Sequence, residues 1–210
     1  RNNLSIRLWA NLMKILQLPN DGYIRDTLPK NIFDRLLSES LEFHNNSSVH
    51  TGLRKTDGSQ TCPHYNVSDE NFNYLKRYIF PFIKHYSRNF YYTNSIKCLT
   101  SNSPYVFGKP WFNIQKPNEY LPLHHHDGVL SYTLWLKLPK ISEFAFYYNG
   151  IVNQRYHPLS LTPSDVGDII IFPSTLQHAV YPFMSDDPDE IRISLSGNIS
   201  LQGIGDYQSK

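Results

Sequence analysis

Residues 121–136 read LPLHHHDGVLSYTLWL, and the reading of this stretch decides how the rest of the chain is taken. Three consecutive histidines and an Asp127-Gly128 step run directly into a series of strand-forming residues, setting metal-binding side chains densely against a β-strand. Successive side chains of an extended chain alternate faces, so His124 and His126 share one side while His125 and Asp127 share the other. Either pair supplies two neighbouring ligands to one ion, and a third must come from a distant part of the chain. His178, in FPSTLQHAVYPF, is the candidate. The run is internal, only three residues long and continuous with an apolar strand, which argues against an expression tag.

Working outward, the segments from residue 91 onward are short and strand-like: SIKCLT, SPYVFGKPWFNIQK, VLSYTLWLKLP, EFAFYYNG, HPLSLTP, DIIIFPS, HAVYPF and IRISLSGNIS. Prolines and glycines punctuate them at short intervals, the pattern of a sandwich or barrel. The first part of the chain reads differently. From Pro29, the residues Ile32, Phe33, Leu36, Leu37 and Leu41 mark one face of a predicted helix ending near His44. Ser68, Asp69 and Glu70 start a second, continued by Phe72, Leu75, Ile79, Phe82, Ile83 and Tyr86, with a kink expected at Pro81. The residues between Asn45 and Val67 are polar and turn-rich, a predicted long loop, and residues 3–18 mix strand and helix periods. The expected architecture is mainly β with N-terminal helices: residues 1–90 as a helical extension packed on a core of residues 91–210, in one structural domain.

Composition narrows the function classes. Lys+Arg 20 against Asp+Glu 18 leaves a net charge of +2 with no basic block, so nucleic acid is not an expected partner. No apolar run, that around Ile169 to Phe172 included, approaches the roughly 20 residues of a membrane helix, so no membrane partner is expected. Two cysteines, Cys62 and Cys98, form neither a disulfide scaffold nor a metal-ligand spacing and fit reduced thiols in cytoplasm.

The ordered set WFNIQK, LPLHHHDG, LSYTLWL, GDIIIFPSTLQHAVYP and RISLSGN resembles the double-stranded β-helix oxygenases that use Fe(II) and 2-oxoglutarate. The likeness runs from roughly Tyr105 to Ile199 and is strongest for the branch of aspartyl/asparaginyl β-hydroxylases and small stand-alone oxygenases of phage genomes. It implies a cupin-like jelly roll with Fe(II), and 2-oxoglutarate and O2 as cosubstrates. The implied reaction is hydroxylation of a small-molecule or peptidyl substrate with release of succinate and CO2. Localisation would be cytoplasmic, in the host cell if the chain is phage-encoded.

In that branch the first metal histidine aligns with His124, and the position two residues on, a carboxylate in the common His-x-Asp/Glu pattern, aligns with His126. The implied metal set is His124, His126 and His178; the common pattern would instead give His125, Asp127 and His178. Asp127 otherwise serves as the first half of an Asp-Gly turn. Asn113, 11 residues before His124, matches a branch position held by asparagine or serine, and Thr133 matches a cosubstrate-facing one. Ser131 is a further candidate for the same cavity. Arg192, 14 residues after His178 and followed by Ser194, is implied to hold the distal carboxylate of 2-oxoglutarate through its planar donor fork, with the Ser194 hydroxyl assisting. Arg155 and His157 lie between the two motif halves, where they would face substrate. Two alternatives stand beside this reading. One is a three-histidine cupin dioxygenase without 2-oxoglutarate, which Arg192 argues against; the other is a non-catalytic jelly-roll binding module, because a fold does not by itself imply a function.

Overall fold

The computed structural model describes residues 22–46, 64–90, 105–149 and 154–201. Residues 3–18, the segment SIKCLT and both cysteines lie outside the described residues. Among the described residues, eleven strands form two antiparallel sheets. The larger contains β1 (Ile24–Thr27), β2 (His64–Asn66), β3 (Tyr105–Phe107), β4 (Trp111–Gln115), β6 (Leu130–Lys137), β9 (Asp168–Pro173) and β11 (Arg192–Leu201). Its order is β1-β9-β6-β11-β4-β2, with β3 also on β11. The smaller contains β5 (Leu121–His124), β7 (Ser142–Asn149), β8 (Gln154–Leu161) and β10 (Gln177–Val180) in the order β5-β10-β7-β8. This is the double-stranded β-helix, or jelly roll.

The outer face of the larger sheet is covered by α1 (Lys30–Asn45), entered from Pro29, and α2 (Asp69–Phe90). The Ser68 hydroxyl accepts the Asn71 N–H at 3.4 Å, and Asp69 and Glu70 lie in the first turn, where the helix dipole favours carboxylates. The helix continues through Pro81 as one element. Leu36, Leu75, Ile79 and Tyr86 are fully buried against Phe112, Leu134, Ile171, Ile193 and Leu195 of the sheet. Each such side chain contributes roughly 1.5–3 kcal/mol by leaving water. Among the described residues no helix is long and apolar enough to cross a membrane.

Two strands fall where helix or loop was expected. β1 pairs with β9, and β2 pairs with β4 inside the span predicted to be a long loop. At four and three residues they are too short to carry a period, and pairing with an established sheet makes them strands. The stretch SPYVFGKPWFNIQK divides at Gly108–Pro110 into β3 and β4.

The alternation of the larger sheet positions the site. Phe112 and Ile114 of β4, Leu130, Tyr132 and Leu134 of β6, and Ile193 and Leu195 of β11 face the helices. Their neighbours Asn113, Gln115, Thr133, Arg192 and Ser194 take the other face and are buried between the sheets. An apolar-polar alternation that would ordinarily mean core on one side and water on the other here means helix layer on one side and cavity on the other. The apolar part of the interior comes from Trp135, Ile170 and Phe172 of the larger sheet and Phe144, Phe146, Leu159 and Leu161 of the smaller.

Candidate metal centre

Strand pairing brings the distant histidine to the cluster. β5 and β10 run antiparallel with His124 directly opposite His178, and their ring centroids are 4.3 Å apart. β5 ends at His124, so His126 belongs to the connection to β6 rather than to a strand. Its N–H donates to the Ser174 carbonyl at 2.9 Å, and Gly128, at φ 115°, turns the chain where a Cβ would press on the Ile199 carbonyl. The His126 ring thereby lies 5.0 Å from that of His124 and 5.1 Å from that of His178.

The ligand atoms of these three residues all lie within 4.8 Å of one another, the one such group among the described residues. His125 and Asp127 are exposed and do not join His178. Of the two pairs offered by alternation, the structure brings His124 and His126 to His178, although the second member is placed by a loop.

Hydrogen bonds orient the rings. Nδ1 of His124 lies 2.6 Å from the Pro122 carbonyl and Nδ1 of His178 lies 2.9 Å from that of Leu176. A carbonyl only accepts, so each Nδ1 carries the proton and each Nε2 lone pair is left for the shared centre. Phe144 stacks on His178 at 5.4 Å, and Phe172 meets its edge at 4.9 Å. Trp111 meets His126 edge-on at 5.9 Å. Burial among these rings is the main force holding all three imidazoles neutral: it lowers His124, pushes His126 down to about 3 together with the neighbouring histidines, and depresses His178 well below 6.5. Neutral imidazoles are what a divalent ion requires, so the donor set fits Fe(II) without a proton having to leave.

The same narrow cavity is lined by His124, His126, His178, Asn113, Thr133, Arg192 and Ser194. Arg192 is 1% exposed. Its Nε donates to Gln115 Oε1 at 3.0 Å, and its Nη1 donates to Ser142 Oγ at 2.6 Å and to the Tyr181 carbonyl at 2.9 Å. These contacts hold the guanidinium in place within the cavity. Asn113 Nδ2 donates to Ser194 Oγ at 3.4 Å and Ser196 Oγ at 3.3 Å, and Thr133 Oγ1 is 2.8 Å from Ser196 Oγ. Buried Asn113 Oδ1 and Gln115 Nε2 lack a hydrogen-bond partner, a mark of a cavity prepared for a polar guest. A dianion with one carboxylate at the histidines and another at Arg192 fits this donor set.

Ser131 is buried but does not line this cavity; it donates to Ser174 Oγ at 2.9 Å and Asn198 Oδ1 at 2.8 Å. Gln115, Ser142 and Ser196 escape a reading from sequence. For Gln115 the available signal is its position two residues after Asn113 on one strand, which gives both the same face.

The fold and site define a jelly-roll protein with a three-histidine group able to hold a metal ion and a buried arginine in the same cavity. No curated protein matches the chain by sequence. Residues 109–198 match the family described as "Putative 2OG-Fe(II) oxygenase". A prolyl-4-hydroxylase from Pseudomonas putida is similar in structure at TM-score 0.60 and 12% identity, over 86% of this chain and 93% of that one. The non-heme alpha ketoglutarate dependent epimerase SnoN from nogalamycin biosynthesis is similar at TM-score 0.56 and 15% identity, over 86% and 78%. A viral collagen prolyl hydroxylase from Paramecium Bursaria Chlorella virus-1, solved with 2-oxoglutarate, is similar at TM-score 0.53 and 16% identity, over 84% and 94%. At such identities the structural likeness speaks for the fold. The family match over residues 109–198, with the histidine site inside it, supports an oxygenase that takes Fe(II) as metal and 2-oxoglutarate as cosubstrate.

Proposed function

We propose that the chain is a hydroxylase that inserts one oxygen atom of O2 into a substrate C–H bond, while 2-oxoglutarate takes the other and is cleaved to succinate and CO2. The observation that carries this reading is the single cavity shared by the three neutral histidines and the buried Arg192 guanidinium. His124, His126 and His178 would hold the metal on one face, leaving the opposite face for a chelating 2-oxoacid and O2. When bound, Fe(II) supplies the activation of O2. Arg192 would hold the distal carboxylate by a charge-assisted pair, with Ser194 assisting and Gln115, Ser142 and the Tyr181 carbonyl keeping the fork in place. Phe144, Phe146 and Phe172 exclude water around His178. The substrate is proposed to be a small molecule or a peptidyl side chain.

The test starts without oxygen. Adding Fe(II) and 2-oxoglutarate to the metal-free chain is expected to give a visible charge-transfer band that neither component gives alone. Metal binding with no response to 2-oxoglutarate would reject the cosubstrate role. Admission of O2 with candidate substrates is then expected to release one succinate per product carrying one added oxygen. Succinate formation with a product of unchanged mass would retain the cosubstrate and replace hydroxylation by another outcome, such as the epimerisation named for SnoN.

A further inference from the structure

The inner face of the smaller sheet continues past the histidines. Register places His124, His178, Phe146 and His157 side by side on four adjacent strands. At about 4.8 Å per strand, His157 stands about 10 Å across the sheet from His178. Beside this row opens a second cavity of about 720 Å³, lined by Tyr23, Phe146, Tyr148, Asn149, His157 and Gln177 among others, a volume suited to a small organic ligand. Among the described residues that line it there is no Asp, Glu, Lys or Arg. The contrast with the arginine-bearing cavity is chemical: one end is built around a guanidinium, the other around aromatic faces, the imidazoles of His125 and His157, and the amides of Asn149 and Gln177.

Tyr23 comes from outside the smaller sheet. Its ring stacks on Phe146 at 5.3 Å and 30°, and its hydroxyl lies 3.3 Å from His157 Nε2. The helix α2 fixes where it stands. Tyr86 Oη donates to the Gly22 carbonyl at 2.9 Å, and the Phe90 ring occupies the space a Cβ on Gly22 would need. Gly22 is therefore clamped by the last turns of α2, and the next residue is delivered onto the inner wall of the sheet.

We infer that Tyr23, held by α2 and paired with His157, is a specificity-determining residue that selects an uncharged, ring-bearing substrate group for the metal centre. The inference rests on the oxygenase reading for the chemistry, and on the second cavity alone for the selection. The aromatic faces of Tyr23 and Tyr148 suit the flat or apolar face of a ring, while His157, Asn149 and Gln177 suit its hydroxyl or amide substituents. An ionic substituent would meet no carboxylate, ammonium or guanidinium among the described lining residues.

Ligand-observed saturation-transfer NMR on the full chain tests this without turnover. The probes are methyl β-D-glucopyranoside and N-acetyl-L-prolinamide, which distinguish a sugar ring from an imino-acid ring, and their charged counterparts glucose 6-phosphate and free proline. At least one neutral probe is expected to bind, and each charged counterpart to bind more weakly. Tyr23→Ala is expected to reduce that binding about fivefold, as loss of one aromatic contact would. Tyr23→Phe is expected to keep the stacking part, and Gly22→Ala to lose affinity with Tyr23 still present. No binding by either neutral probe, undiminished binding in Tyr23→Ala, or preference for a charged counterpart would each overturn the inference. The anaerobic charge-transfer band separates the two proposals. Its retention in Tyr23→Ala shows an intact centre, and its absence from the unmodified chain alongside Tyr23-dependent ring binding would sink the oxygenase reading alone.

Discussion

The two sheets divide the labour unequally. The larger sheet is covered by helices on one face and presents a polar surface on the other, where Arg192 is 1% exposed and hydrogen-bonded to Gln115, Ser142 and the Tyr181 carbonyl. The smaller sheet carries two of the three histidines and then runs out to Tyr148, 38% exposed, and an exposed His157. Chemistry common to many substrates can be anchored where nothing moves. Discrimination among substrates needs the rim, where side chains change at little cost to the fold.

The strongest way to break this division is to remove a metal histidine. His178→Ala is expected to lower Fe(II) affinity by more than about a hundredfold, since loss of mere outer-shell partners already costs 10–100-fold. Anaerobic Fe(II) titration measures it, and near-normal affinity would remove His178 from metal binding. On the larger sheet, Arg192→Ala is expected to weaken 2-oxoglutarate binding by about 10- to 100-fold with Fe(II) affinity unchanged. It also strands Gln115 and Ser142, so its Tm is expected to fall; Arg192→Lys recovers only part of the binding, because lysine lacks the fork.

A smaller effect follows from pH. His124, His126 and His178 all lie below 6.5 in the fold, His126 at about 3, while in the unfolded chain they take up protons near 6.5. Below that pH the unfolded state binds more protons, so stability falls as pH falls through the window from 6.5 toward the folded values. The metal-free protein is expected to lose several degrees of Tm between about pH 6.5 and 4.5, and His126→Gln to flatten the slope. An unchanged slope would mean that other groups govern it. The smallest effect is expected outside the triad: His125→Ala and Asp127→Asn leave Fe(II) affinity and Tm nearly unchanged, within about 0.5 kcal/mol in stability. Loss of iron in Asp127→Asn would restore the common carboxylate pattern.

How much of this was legible follows from the range of each signal. Ligand-type side chains crowded at residues 124–127 and helical periods in α1 and α2 are local, and they were readable. The pairing of His124 with His178 is not local; a resemblance suggested it, and the register of β5 on β10 accounts for it. Gln115 and Ser142 went unread because a polar residue on an alternating strand looks like a solvent-facing one until the other face is seen to be covered. Strand parity offered two pairs without choosing between them, and it accounts for the grouping of His124 with His126 only in part, since β5 stops at His124 and a loop returns His126. β1 and β2 have no period of their own.

The inverted alternation of the larger sheet sets a minimum on how much chain is needed to make an enzyme. Phe112, Leu134, Ile171, Ile193 and Leu195 would meet water if α1 and α2 were cut away, leaving a broad greasy surface on any fragment that kept every metal-site side chain. A truncation starting at β3 would therefore be prone to aggregate while retaining the complete set of motif residues. The helices are to this jelly roll what a second sheet is to an ordinary sandwich, and trimming the chain to its recognisable motif uncovers the face that they close.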